Sequence, residues 1–79
     1  MRPTDLFGKF DIGGGTMYAY GPATEEEFRD WLVVYEKDNE IIHEEYVHMM
    51  YAPVFGYDAE DIAALNSRVE EIIKELDLE

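Results

Sequence analysis

No cysteine occurs anywhere in the 79 residues, and so short a chain must hold itself together by its apolar core alone. A domain of this length buries only about 60–65% of the surface its unfolded chain exposes, which leaves little margin. The apolar content is 47%, with 14% aromatic, and that is the composition of a folding chain rather than of a disordered acidic one. We therefore expect one domain spanning residues 1–79. The absence of cysteine excludes disulfide frameworks and thiolate metal sites. Small secreted domains usually need such staples, so the sequence points to the cytoplasm. The opening run Met1 to Phe7 carries no apolar signal-peptide core. No apolar run approaches a membrane span, so no membrane contact is expected.

Two strand-forming arms flank a run of three glycines. Leu6 to Ile12 is the first arm, Gly13-Gly14-Gly15 the turn, and Thr16 to Tyr20 the second arm, ended by Gly21-Pro22. Thr24 with Glu27 makes a capping box, and Phe28, Trp31, Leu32 and Tyr35 recur at helical spacing, so a helix is expected from Thr24 to the Lys37-Asp38-Asn39 boundary. Glu40 to Tyr51 alternates as a strand, and a hairpin needs such a third strand to be stable. Its competing reading as a helix would align Ile42, Tyr46, Met49 and Met50. Residues 52–57 read as a loop. The final helix is the clearest element: Asp58 caps it, Asp61 takes the capping-box position, and Ile62, Leu65, Val69, Ile72 and Leu76 form a three-four stripe widened by Ile73. The expected class is α+β, in the order β-β-α-β-α, with two helices covering a short antiparallel sheet.

The charge ranks the functions. Nineteen Asp and Glu against six Lys and Arg give a net charge of −13, which repels nucleic acid and anionic membranes and attracts basic surfaces. Glu25 to Glu27 and Asp58 to Asp61 sit at expected helix starts, where the helix dipole favours anions. Glu71, Glu75 and Glu79 are different. They lie four apart near a helix C-terminus, with Asp77 beside them and Lys74 as relief, at a local cost of a few tenths of a kcal/mol per pair. A solvated tail tolerates that cost, and so does a binding surface. Glu26 and Asp30 make a second such pair, and Glu40, Glu44 and Glu45 a third patch. Carboxylates four apart on a helix stand about 6 Å apart along its axis, comparable with the charge spacing of a nucleic-acid strand.

By size and acidity the chain resembles the nucleic-acid-mimicking inhibitors encoded by phages and plasmids. That resemblance implies a non-catalytic inhibitor or adaptor on the basic groove of a nucleic-acid-handling protein, using Glu71, Glu75, Glu79, Asp77, Glu26 and Asp30. Tyr18, Tyr20, Tyr51 and Tyr57 are the candidate aromatic anchors, since Tyr brings large contact area at low entropy cost. The alternative is a small structural subunit or homodimer, in which the last helix's stripe with Met49 and Met50 buries against another chain and the acidity serves solubility only.

A third reading is metal or phosphate binding. Asp11-Ile-Gly-Gly-Gly-Thr16 resembles the phosphate-binding hairpin of the actin-like and heat-shock-chaperone ATPases, which implies backbone amides cradling phosphate. It covers six residues, and the second phosphate loop and adenosine motif of that family have no counterpart here. His43 and His48 flank a Glu-rich stretch but lie five apart, where a zinc protease helix needs four, so no metal and no cofactor are expected. One serine, Ser67, on a helix surface leaves no nucleophilic triad, and we expect no enzyme.

Overall fold

The computed structural model describes residues 5–22, 30–51 and 56–78. Four strands, β1 (Asp5–Ile12), β2 (Gly15–Gly21), β3 (Asp30–Lys37) and β4 (Glu40–His48), precede one helix, α1 (Ala59–Glu75). The sheet is an antiparallel meander in the order β1-β2-β3-β4. The class is α+β, and the first hairpin, the strand from Glu40 and the final helix lie where the sequence places them.

The correction concerns residues 30–37. The expected helix is instead β3, a central strand hydrogen-bonded on both sides, so the order within the described residues is β-β-β-β-α. Trp31-Leu32-Val33-Val34-Tyr35 is buried at every position, and a continuous apolar run with two β-branched valines suits a strand covered on both faces. Helical spacing of Trp31, Leu32 and Tyr35 is a subset of that run. Asp38 and Asn39, read as a helix end, adopt φ of 53° and 64° and form a two-residue turn between β3 and β4. Positive φ at both positions matches the right-handed twist of the flanking strands, and Asp and Asn tolerate it. The proposed cap Thr24 and Glu25 to Phe28 lie outside the described residues, as do 52–55.

The β1–β2 turn has the same geometry, with Gly13 and Gly14 at φ of 62° and 83° and Ile12 paired to Gly15. Gly15 is needed for close approach: a Cβ there would lie 2.5 Å from the Glu36 carbonyl oxygen and 2.6 Å from Tyr35 Oη. That hydroxyl donates to the Ile12 and Gly13 carbonyls at 2.7 and 3.2 Å, tying β3 to the turn.

One sheet face packs on α1. Cross-strand partners Met17 and Tyr35, and Ala19 and Val33, share it with Trp31 and meet Leu65, Val69, Ile72 and Ile73. The helix stripe read from the sequence is thus spent inside the molecule, and Met49 is buried with it while Met50 is exposed.

Asp61 joins helix to sheet. It is 2% exposed, and its carboxylate accepts the Met50 and Tyr51 N–H groups at 2.8 and 3.1 Å. Its carbonyl accepts the Trp31 indole N–H at 3.1 Å. The expected capping box is therefore half formed: Asp58 caps by accepting Glu60 N–H at 2.9 Å, but Asp61 turns to the chain leaving β4. At the other end Asp77 takes φ of 54°. Its N–H donates to the Lys74 carbonyl, while that of Leu78 donates to the Ile73 carbonyl at 3.0 Å. This double closure stops the helix and satisfies the Ile73 and Lys74 carbonyls.

Replacing Asp61 with Ala leaves two inward N–H groups without an acceptor, so the unfolding free energy should fall by about 2–3 kcal/mol. Urea denaturation followed by Trp31, the sole tryptophan, reads this directly. Asp61→Asn, which keeps one acceptor oxygen, should lose about half as much.

Candidate functional site

Three regions carry the side chains the sequence singles out. The first is the exposed flank of α1. Arg68 reaches across to β4 and grips Glu45 through two parallel contacts, Nε to Oε2 at 2.6 Å and an Nη2 contact to Oε1 at 2.8 Å. Its other Nη1 nitrogen donates to Glu75 at 2.7 Å and reaches Glu71 at 3.5 Å. His43 Nε2 lies 2.7 Å from Glu45 Oε1. Three carboxylates therefore share one guanidinium and the cluster stays anionic.

The Arg68 guanidinium, donating two hydrogen bonds, holds the Glu45 carboxyl down from its usual 4.5 to about 2, against an opposing push from burial and with a smaller contribution from His43. The carboxylates in turn raise the Arg68 pKa. The sequence offers Lys74 as the relief of the Glu71 and Glu75 stripe. Arg68 relieves them, and its spacing of three and seven residues on the same helix face is legible in the sequence.

The second region is the end of the molecule where both hairpin turns meet the helix C-terminus. Leu78 packs on Gly13, whose added Cβ would come within 3.0 Å of it, and Lys37 approaches Gly14. Exposed Asp11, Asp38, Glu40 and Asp77 surround this junction. Asp11 accepts the Thr16 hydroxyl at 3.0 Å across the hairpin. Residues 11–16 line a shallow open depression here. Their glycines are required by the turn itself, which accounts for the motif without a ligand.

The six expected docking carboxylates do not form one surface. Glu71 and Glu75 share one face of the last turns of α1 beside Arg68, and Asp77 follows the helix stop. Asp30 opens β3, about 23 Å along the strand from its far end, and lies 3.2 Å from His48 Nδ1. Its helical pairing with Glu26 is lost because residue 30 is on a strand, and Glu26 and Glu79 lie outside the described residues. The Glu40, Glu44, Glu45 patch divides too: Glu44 faces away from α1 opposite Val34, and Glu45 faces it opposite Val33. His43 and His48 fall on opposite faces, as strand alternation requires.

The four tyrosines separate in the same way. Tyr18 and Tyr20 stack at 6.0 Å on the sheet face away from α1, with Lys9 Nζ 5.8 Å from the Tyr18 ring. Tyr46 is on that face opposite Leu32. Tyr51 is exposed and donates to Glu60 at 3.4 Å. Tyr57 is structural: its ring packs on Trp31 and Phe7, and its hydroxyl donates to Asp5 at 2.5 Å. Burial, with the adjacent Asp5 carboxylate, raises its pKa.

The third region went unnoticed in the sequence. Phe7 and Phe10 project from β1 into a groove of about 120 Å³ between that strand and α1, floored by Met17 and Ala19 and walled by Leu65 and Val69. Comparison with protein-family models, curated proteins and solved structures finds no match. Among the described residues no helix is long and apolar enough to cross a membrane.

The Glu45 carboxylate supplies stability that is complete above its ordinary pKa and is lost as pH falls from about 4.5 through about 2. Glu45→Gln should therefore be less stable than the parent by about 1–2 kcal/mol at pH 7. The gap should close between pH 4.5 and 2. Chemical denaturation of both proteins across that range measures it.

Proposed function

We propose that this protein is a non-catalytic acidic binding protein, an inhibitor or adaptor that docks on a basic surface such as the groove of a nucleic-acid-handling protein. The observation that supports it is the fixed carboxylate array on the last turns of α1. Glu71 and Glu75 are steered by Arg68, Asp77 is set by the helix stop, and Asp11, Asp38 and Glu40 extend the acidic surface over the adjoining turns.

Preorganised charges lose little side-chain entropy on binding, which favours a cationic partner over bulk counterions. The docking set is accordingly Glu71, Glu75 and Asp77, without Asp30. Tyr51, exposed beyond the start of α1, remains the outlying aromatic candidate. Binding of this type weakens as salt rises, because solvent-exposed charges are screened within about 8–10 Å at physiological ionic strength. The setting we infer is the cytoplasm. The reading as an apolar subunit joined through the helix stripe loses its surface, since that stripe is buried against the sheet.

A tagged chain should retain basic nucleic-acid-binding proteins from host lysate at low salt and release them as salt rises. The triple variant Glu71→Gln, Glu75→Gln, Asp77→Asn should bind the captured protein at least ~10-fold more weakly, the equivalent of about 1.4 kcal/mol. Its Trp31 fluorescence should be unchanged. Equal binding by parent and triple variant would refute the assignment.

A further inference from the structure

The sheet has two edges, and they differ in charge. The β4 edge carries Glu40, Glu44 and Glu45, so two copies meeting there would set glutamates against one another. Such charge is a common guard against edge-to-edge pairing. The β1 edge is charged too, but with both signs, so one orientation of a second copy can set opposite charges against each other. It carries Lys9 and Asp11 two residues apart on one face, and Phe7 and Phe10 half exposed beside an apolar groove on the other. Among the described residues β1 pairs only with β2.

We infer that β1 is a homodimerisation edge, pairing antiparallel with β1 of a second copy in the register that sets Phe10 opposite Phe10 and Lys9 opposite Asp11. Two constraints select this register. The first is backbone parity. Ile12 closes a two-residue turn with Gly15, so its N–H and C=O point at β2, and those of Asp11 and Lys9 point outward. The side-chain bond between Asp11 and Thr16, a closely spaced pair facing each other across the ladder, agrees with that phase.

Outward groups must meet outward groups, so Lys9 can face Lys9 or Asp11 of the other copy but not Phe10 or Gly8, and the bulge at Phe7 ends the alternation. The second constraint is charge. Lys9 on Lys9 repels, and so does the shift that sets Asp11 on Asp11. The register centred on Phe10 alone gives two opposite-charge pairs, related by the two-fold axis.

The same axis stands perpendicular to the sheet, so both helices lie on one side. The two Phe10 rings then meet at a non-hydrogen-bonded pair, with Cβ atoms about 5 Å apart, and the two grooves merge into one apolar channel between the helices. This buries the groove rather than leaving it wet. The bulge between Leu6 and Gly8 ends the pairing on either side. The inference shares Asp11 with the margin of the acidic docking surface but none of the docking set Glu71, Glu75 and Asp77, so the two are tested by different variants.

The test uses the whole chain. Sedimentation equilibrium of the parent should show a monomer–dimer equilibrium. Lys9→Asp and Asp11→Lys should each raise the dimer dissociation constant about 10-fold or more, although they change net charge in opposite directions. The double variant, with the charges exchanged, should return it to near the parent value. Phe10→Cys, in a chain with no other thiol, should oxidise to a disulfide-linked dimer, and Ile41→Cys on the β4 edge should not. A parent that stays monomeric up to about 1 mM overturns the proposal. So does a double variant as weak as the singles, or cross-linking at Ile41 in place of Phe10.

Discussion

The bond from the Trp31 indole to the Asp61 carbonyl, with the Asp61 carboxylate holding the chain that leaves β4, is the joint on which the fold turns. A four-stranded meander alone has two open faces and no reason to prefer either. A single helix must therefore be fixed in angle and height before its apolar stripe can meet the sheet. Trp31 on the central strand and Asp61 in the first turn of α1 do this with three hydrogen bonds, one of them from an indole N–H that burial would otherwise leave unsatisfied. The second anchor is at the opposite end, where Leu78, delivered by the helix stop, lies on Gly13 and Tyr35 holds the same turn. With both ends fixed, the stripe from Leu65 to Ile73 has one place to pack. A small cysteine-free chain thus substitutes polar joints at the two ends of a short core for the staples it lacks.

Much of this was legible before any coordinates. The triple glycine flanked by alternating arms specifies a hairpin, and the stripe after Asp58 specifies the helix to within a residue or two. Residues 40–51 alternate as a strand, and 40–48 form one, while the N–H groups of Met50 and Tyr51 turn to Asp61. The error at 30–37 has a clear physical source. Five consecutive apolar residues satisfy both periods at once, and the capping box upstream tipped the reading toward helix. Val33-Val34 and the Asp38-Asn39 pair argued the other way, since Asp and Asn at positive φ make hairpin turns as well as helix ends. A central strand of a meander is buried on both faces and so shows no alternation, which is why period alone misjudges it.

The candidate site was legible in its residue types but not in its partition. Helical spacing puts Glu71 and Glu75 on one face, and the structure places both beside Arg68. Spacing could not reveal that Asp30 and His48 are cross-strand neighbours or that Glu44 and Glu45 face opposite ways, because both depend on strand pairing. Arg68, three and seven residues before Glu71 and Glu75 and across from Glu45, is shared by three carboxylates and leaves the cluster net anionic. Tyr57, an aromatic that reads as an anchor, is part of the joint between β1 and β3.

The distribution of charge between the two sheet edges follows from the same economy. At a net charge of −13 every surface of this chain repels every other copy, so self-association needs a place where opposite signs face each other. Lys9 is one of only six basic side chains, and it is placed on the edge strand, two residues from an aspartate and opposite the face that exposes Phe10. Were solubility the sole requirement, an exposed edge bearing two phenylalanines would be the first place to add glutamate, as β4 has done. The β4 strand is acidic where β1 carries both signs, so complementary pairing across a two-fold axis is open to β1 and closed to β4. One keeps the sheet from growing, and the other lets it grow once, across a two-fold axis that leaves the acidic flank of each helix facing outward.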